Sequence, residues 1–373
     1  MLRKRKIAFF PLAPLGDAVV EMGILDELHR IYTPCEITVF AVPLIAELYR
    51  GHQLCAQAVE LEENPAGEVS FRRIPQEHFD VVFNHGYCES WNRLLEQLDY
   101  DNAYGMEEPC RPPEKCRELF TRWISSKYWN EVTLREYSKV SEQMAELIRL
   151  VDPACRSIQP SLSPQNYKLT PCPIPQGKYV LMLPGASSSE KRWPIGKFLQ
   201  LAKILSAANY RILFATGPAE RHLAEKIESD AFTCFDTPKL SELAFCIAHA
   251  DAVIGNDSGP MHMAACFDRP SIHFFSFSGA ETWFQYDPAL HKLVMPTCGR
   301  KSEETCGPCH RTCIGKITVK QAYRACKEIL GLPEIQFKKI GYFATPRIGD
   351  SLVAINNLCA CPLSWTVFIK RLV

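Results

Sequence analysis

Twice in this chain a short apolar run passes through a turn rich in glycine and proline and enters a stretch with helical spacing. Ile7 to Leu12 leads through Ala13–Asp17 into Ala18 to Ile31, where Val20, Ile24, Leu28 and Ile31 recur on one face. Ala252, Val253 and Ile254 lead through Gly255–Gly259 to Pro260, at a place where a first helical turn tolerates a missing N–H. With Glu36 to Ala41 as the next strand, the first case completes a βαβ unit. That requires a parallel sheet covered by helices and places any ligand at the carboxyl ends of the strands.

Tyr179 to Leu183, Pro194 to Ala208, Arg211 to Ala215 and a helix from Ala219 repeat the alternation beyond residue 178, and Phe79 to Asn84 adds a strand before it. The segment 152–178 is punctuated by prolines from Pro153 to Pro175 in a polar background and reads as a linker. The expected organisation is a Rossmann-like domain over 1–160, a Pro-rich linker over 161–178, a second Rossmann-like domain over 179–335, and a tail over 336–373. Pro112 to Leu150 reads as helical.

Composition narrows the partners. Lys and Arg total 42 against 42 Asp and Glu, so bulk electrostatic attraction to nucleic acid is not expected. No run of about 18 apolar residues is present, and the basic start at Arg3–Lys6 reads as leading into a strand, not a signal peptide. Most of the 17 cysteines sit singly among apolar residues, as reduced core thiols do.

The turn at 255–259 opens a helix whose N-terminal amides can cradle a phosphate, with Ser258 and Gly259 leaving room; an ordinary turn capped by Asp257 or Ser258 is the plain alternative. Three loops follow strand ends in the second half: Gly185–Lys191, Gly217–Glu220 and Asp257–Gly259. They should converge, with Lys191 and Arg192 neutralising phosphate and Glu220 accepting from sugar hydroxyls. Asp17 at the end of the first strand is either a helix cap or a general base. His85 follows another strand and either touches substrate or does nothing chemical. Arg111 and Arg122, interleaved with aromatic residues, form either an anionic-acceptor surface or a solvated face.

Taken together and in order, Leu-Gly-Asp at 15–17, Pro-Gly-Ala-Ser at 184–187, Lys-Arg-Trp-Pro at 191–194 and Asn-Asp-Ser-Gly-Pro-Met-His at 256–262 resemble glycosyltransferase family 9, the heptosyltransferase-like enzymes of lipopolysaccharide core assembly. The resemblance covers residues 6–330. It implies a GT-B fold, α/β with two Rossmann-like domains whose parallel sheets face across a cleft, with the acceptor on the first and the nucleotide-sugar on the second. It implies Asp17 as base and a donor site of Gly185, Ser187, Lys191, Arg192, Glu220, Asp257, Ser258, Gly259 and His262. The reaction implied is inverting transfer of a sugar, heptose from ADP-heptose at class level, to a lipid-linked anionic saccharide of the lipopolysaccharide core. It would run without a catalytic metal, in the cytoplasm and in peripheral contact with the inner membrane. A nucleotide-sugar epimerase or hydrolase of the same fold and a silent nucleotide-sugar-binding paralogue are the competing readings.

Two features stand outside that scheme. Cys298, Cys306, Cys309 and Cys313 have C-x7-C-x2-C-x3-C spacing, open to a structural zinc or iron site or to plain thiols. In the tail, Lys339–Phe343 and Gly349-Asp350 repeat the pattern of Lys6–Phe10 and Gly16-Asp17 at a constant offset, as in a truncated second copy; Asp350 is given no catalytic role.

Overall fold

The computed structural model describes residues 3–86, 89–106, 118–124, 139–174, 177–217, 220–236, 239–276, 280–297, 313–339 and 365–368. Strands with no polar face dictate its plan. Ile7–Phe10 and Tyr179–Leu183 are almost wholly excluded from solvent, as strands are when helices cover both faces of a parallel sheet.

The front half runs β1 (Arg5–Phe10), α1 (Leu15–Glu21), α2 (Ile24–Tyr32), β2 (Cys35–Ala41), α3 (Pro43–Arg50), β3 (Cys55–Glu63), β4 (Val69–Phe71), β5 (His78–Asn84), α4 (Glu89–Leu95), β6 (Asp99–Met106), β7 (Arg122–Ile124) and α5 (Val140–Arg149). Its seven strands lie in the order β4-β3-β2-β1-β5-β6-β7, all parallel except β4 on β3. The rear half runs β8 (Tyr179–Leu183), α6 (Ile195–Ala207), β9 (Arg211–Thr216), α7 (Arg221–Ser229), β10 (Thr233–Asp236), α8 (Leu240–His249), β11 (Ala252–Asn256), α9 (Gly259–Cys266), β12 (Ser271–Phe274), α10 (Ala280–Trp283), β13 (His291–Val294) and α11 (Val319–Leu330). Its six parallel strands are ordered β10-β9-β8-β11-β12-β13.

In each sheet the strand order reverses beside the opening strand, between β1 and β5 in front and between β8 and β11 behind. Open α/β sheets bind ligands outside the carboxyl ends of such strands, because the flanking loops part in opposite directions there. The helices that follow β1 and β11 share a hydrophobic core, in which Val19 and Val20 of α1 join Met263 and Ala264 of α9.

Several expected boundaries move. The helix read over Ala18–Ile31 is two helices, broken at Met22-Gly23. The connector backbone crosses so closely that a Cβ on Gly23 would lie 2.0 Å from the Gln159 carbonyl oxygen. Within the stretch read as helical over 112–150, Arg122–Ile124 is instead an edge strand on β6, whereas Val140–Arg149 is helical as expected.

The connector over 152–174 has no helix or strand of its own, yet it is stitched to both halves. Lys168 N donates to the Gly51 oxygen (2.8 Å) and Thr170 N to that of Ser241 (3.1 Å). The Tyr167 ring, 4% exposed, packs between Gly51 and Phe267. In the tail, β14 (Gln336–Lys339) pairs antiparallel with β15 (Trp365–Phe368), apart from both large sheets. Of the repeated segment only Lys339 is described; 340–343 and Gly349-Asp350 lie outside the described residues.

Candidate active site

The first turns of α1 and α9 meet end to end. A Cβ on Gly259 would stand 2.5 Å from Cγ of Leu15, and one on Gly16 would stand 3.4 Å from Cδ2 of His262. Asp17 therefore faces the pocket that opens α9, and neither helix begins on the side-chain cap that was the plain alternative. The N-cap of α1 is Pro14, which leaves Asp17 inside the first turn, and Ser258 caps α9 without a side-chain hydrogen bond. The first-turn amides of α9 and the positive end of its dipole are thus directed at the junction.

Burial pushes the Asp17 carboxyl up to about 6 and the nearby Glu21 carboxylate pushes the same way, while His262, Lys191 and His85 pull it back. A carboxylate held there remains ionised at neutral pH and is a better proton acceptor than an ordinary aspartate.

On the rear side Lys191 Nζ lies 2.6 Å from Asp257 Oδ2, and His262 Nε2 lies 3.7 Å from Oδ1, longer than a hydrogen bond. Burial alone would raise the Asp257 carboxyl, but His262 and Lys191 outweigh it and hold it below the usual range. The Lys191 side chain keeps 46% of its surface in solvent, so its ammonium is at the mouth of the pocket and can reach an incoming anion. A bare carboxylate beside a phosphate would repel it, but Asp257 is already balanced by these two neighbours.

Asn256, fully buried at the end of β11, explains how the Gly185–Lys191 loop is held. Its Oδ1 accepts from Trp193 N (2.9 Å) and its Nδ2 donates to the Pro184 oxygen (2.8 Å), fixing both ends of the loop. Trp193 is anchored in turn by its Nε1 on the Ile317 oxygen (2.9 Å) and by its contacts with Phe198 and Phe274. Arg192 spends two donors, Nε and Nη2, on the Ala186 oxygen (3.0 and 2.7 Å), which clamps the loop. Ser187 is exposed on the same loop. Glu220 folds back so that Oε2 accepts from Gly217 N (3.0 Å), and its carboxylate lies where a side chain on Gly185 would be. The three loops expected to converge therefore do so.

Two residues here escaped the sequence reading, Glu21 and Tyr286. Glu21 and His85 are both 0% exposed and joined at 2.6 Å between Oε2 and Nδ1, so the His85 ring is enclosed and does not face a surface open to an acceptor. Tyr286 holds His262 from beyond α10, with its hydroxyl 2.5 Å from Nδ1. A lone glutamate on a helix and a tyrosine in a loop give no local signal of such partners. Arg122 lies at the sheet edge, three strands from β1, with Nη1 on the Leu150 oxygen (3.0 Å), so it is not brought to the junction. Arg111, Cys298, Cys306 and Cys309 fall outside the described residues, and Cys313 is buried.

Comparison with known proteins bears on this arrangement. The sequence model for glycosyltransferase family 9 (heptosyltransferase) matches residues 94–311, more than half of the chain. The chain belongs to glycosyltransferase family 9. Among curated family relatives it is 32% identical over 107 residues to the lipopolysaccharide core heptosyltransferase OpsX of Haemophilus influenzae, covering 27% of this chain and 30% of that protein. It is 27% identical over 172 residues to lipooligosaccharide heptosyltransferase 2 of Campylobacter jejuni, covering 43% of this chain and 54% of that one. The chain thus spans about a third to a half of the length of these relatives. Among solved structures, E. coli heptosyltransferase WaaC with ADP-2-deoxy-2-fluoro heptose superposes with a TM-score of 0.65 at 15% identity, over 87% of this chain and 99% of that one. That likeness concerns the fold, two parallel-sheet α/β domains of the GT-B type. Among the described residues, no helix is long and apolar enough to cross a membrane.

Proposed function

We propose that this family 9 protein is an inverting glycosyltransferase that moves a heptose from an ADP-heptose donor to a lipopolysaccharide-core saccharide. The acceptor would lie on the front half (1–160) and the donor on the rear half (179–335), at the inner face of the membrane that carries the acceptor. The observation that carries the reading is the juxtaposition of two unlike pockets. A carboxylate made more basic by its surroundings, Asp17, faces a helix N-terminus flanked by Lys191, Asp257 and His262.

In the proposed step the acceptor hydroxyl gives its proton to Asp17 as its oxygen bonds to the anomeric carbon and the bond from that carbon to the diphosphate breaks. The leaving diphosphate gains negative charge. Lys191, the α9 amides and His262 are arranged where that charge develops, which favours the transition state over the ground state. Glu220, beside Gly185 at the end of β8, is positioned to accept from a donor hydroxyl. Donor names reach this chain from its relatives, one of which holds an ADP-heptose analogue.

The test is donor consumption with and without acceptor. Purified protein is incubated with ADP-heptose, alone and with a heptose-deficient lipopolysaccharide core, and free ADP is measured together with the mass of the saccharide. Acceptor-dependent ADP release with a matching gain of one heptose is expected. Equal ADP release without acceptor would overturn the transferase reading in favour of a hydrolase.

A further inference from the structure

Directly behind Asp17 lie two ionisable side chains that the proposed step does not use. Glu21 closes α1 one turn after Asp17 and is wholly buried. Its Oε1 accepts from Leu12 N at 2.6 Å and lies 3.4 Å from the Tyr49 hydroxyl, and its Oε2 meets His85 Nδ1 at 2.6 Å. His85, also wholly buried, is tied by its own N–H to the Phe10 oxygen (2.9 Å).

We infer that the buried Glu21–His85 pair is a positioning device for Asp17, holding the turn that carries it and setting a second carboxylate one helical turn beneath it. The inference rests on the transferase reading and adds to it a residue that controls the base. Three pieces of chain meet at the pair: the end of β1 with the Leu12 turn, the end of β5, and α1. Asp17 stands among all three. Taking a carboxylate and an imidazole out of water carries a desolvation penalty that their pairing only offsets, and an apolar pair would fill the same space without it. The pair also does something that packing does not. Of the charged groups facing Asp17, His85 comes from the end of β5, and Lys191 and His262 come from the rear half, where Asp257 partners them. All three of these favour the ionised form of Asp17 and so weaken it as a base. Glu21, on Asp17's own helix, acts in the opposite direction. Side chains four residues apart on a helix stand about 5–6 Å apart at Cβ, close enough for that influence to be felt directly. Glu21 therefore keeps Asp17 able to take a proton near neutral pH while the cations required by the diphosphate stand beside it.

The experiment compares wild type with Glu21→Gln, which keeps the shape and the acceptor for Leu12 N–H but removes the charge. The expected result is that the acidic limb of kcat/KM for transfer moves down by about one pH unit and plateau kcat falls several-fold, with donor KM unchanged. The carboxyl carbon of Asp17, followed by NMR in substrate-free protein, should titrate lower by the same amount. An unchanged limb and an unchanged Asp17 titration would overturn the inference. A third measurement uses wild type alone. The His85 ring nitrogens should show the proton on Nδ1, and a bare Nδ1 would also overturn it. Wild type that lacks acceptor-dependent transfer overturns the transferase reading instead, and the two NMR measurements still decide the question of Glu21.

Discussion

Asp17 and Asp257 occupy comparable places, one inside and the other just before the first turn of the helix that follows a strand at the reversal point of its sheet, yet their surroundings push them apart. Asp17 is desolvated next to another carboxylate and is raised to about 6, whereas Asp257 is held low by Lys191 and His262. The fold supplies the place and the neighbours set the character of each group: a carboxylate that holds a proton more readily in front, a fixed negative partner for two cationic or polar donors behind.

The sharpest way to break this contrast is Asp17→Asn. It keeps the shape and removes the base, and transfer should fall by about three orders of magnitude with donor binding near normal. Residual turnover within tenfold of wild type in a coupled ADP assay would mean that the front aspartate is not the proton acceptor. A smaller effect, on binding, is expected behind. Lys191→Ala should weaken ADP-heptose binding by about 10- to 100-fold, the worth of a charge-assisted hydrogen bond. Unchanged affinity by calorimetry would remove Lys191 from the diphosphate.

The smallest effect is on stability, and its sign should differ between the two sites. The folded chain binds a proton at Asp17 more tightly than an unfolded chain does, so the ionised side chain costs stability above pH 6, and that cost disappears as the pH falls below the ordinary value of 3.8. At neutral pH Asp17→Asn should therefore stabilise the protein by about 1–2 kcal/mol, after allowance for solvent screening. Asp257 is the reverse case: its lowered titration contributes stability above the usual carboxylate range that is lost as the pH falls through its folded-state value, so Asp257→Asn should lower the melting temperature at neutral pH. Shifts of the same sign in a thermal melt would show that the two environments are not opposed.

Much of this was legible in the residues. The strand–turn–helix rhythm foretold both sheets because parallel strands need unbroken apolar runs, and the three rear loops were found because each follows a strand end. What escaped depends on contacts between distant segments. Glu21 reads as an ordinary helical glutamate until His85 arrives from the end of β5, and the need for a glycine at 23 shows only once the Gln159 oxygen is seen to lie 2.0 Å from where its Cβ would be. The reach of Arg192 back to Ala186 was not legible either, since it depends on a loop shape that Asn256 sets from another strand. The basic and aromatic stretch around Arg122 showed helical spacing, but it includes a strand at the sheet edge.

The narrow meeting of Leu15 and Gly259 has a consequence for how the molecule is calibrated. A methyl at 259 would act as a shim, displacing Leu15 and with it the aspartate two positions along the same helix. One hydrogen atom on the rear side thus gauges how far the acid on the opposite side projects, so tolerance for change at 259 should be read in the placement of Asp17 before it is read in folding.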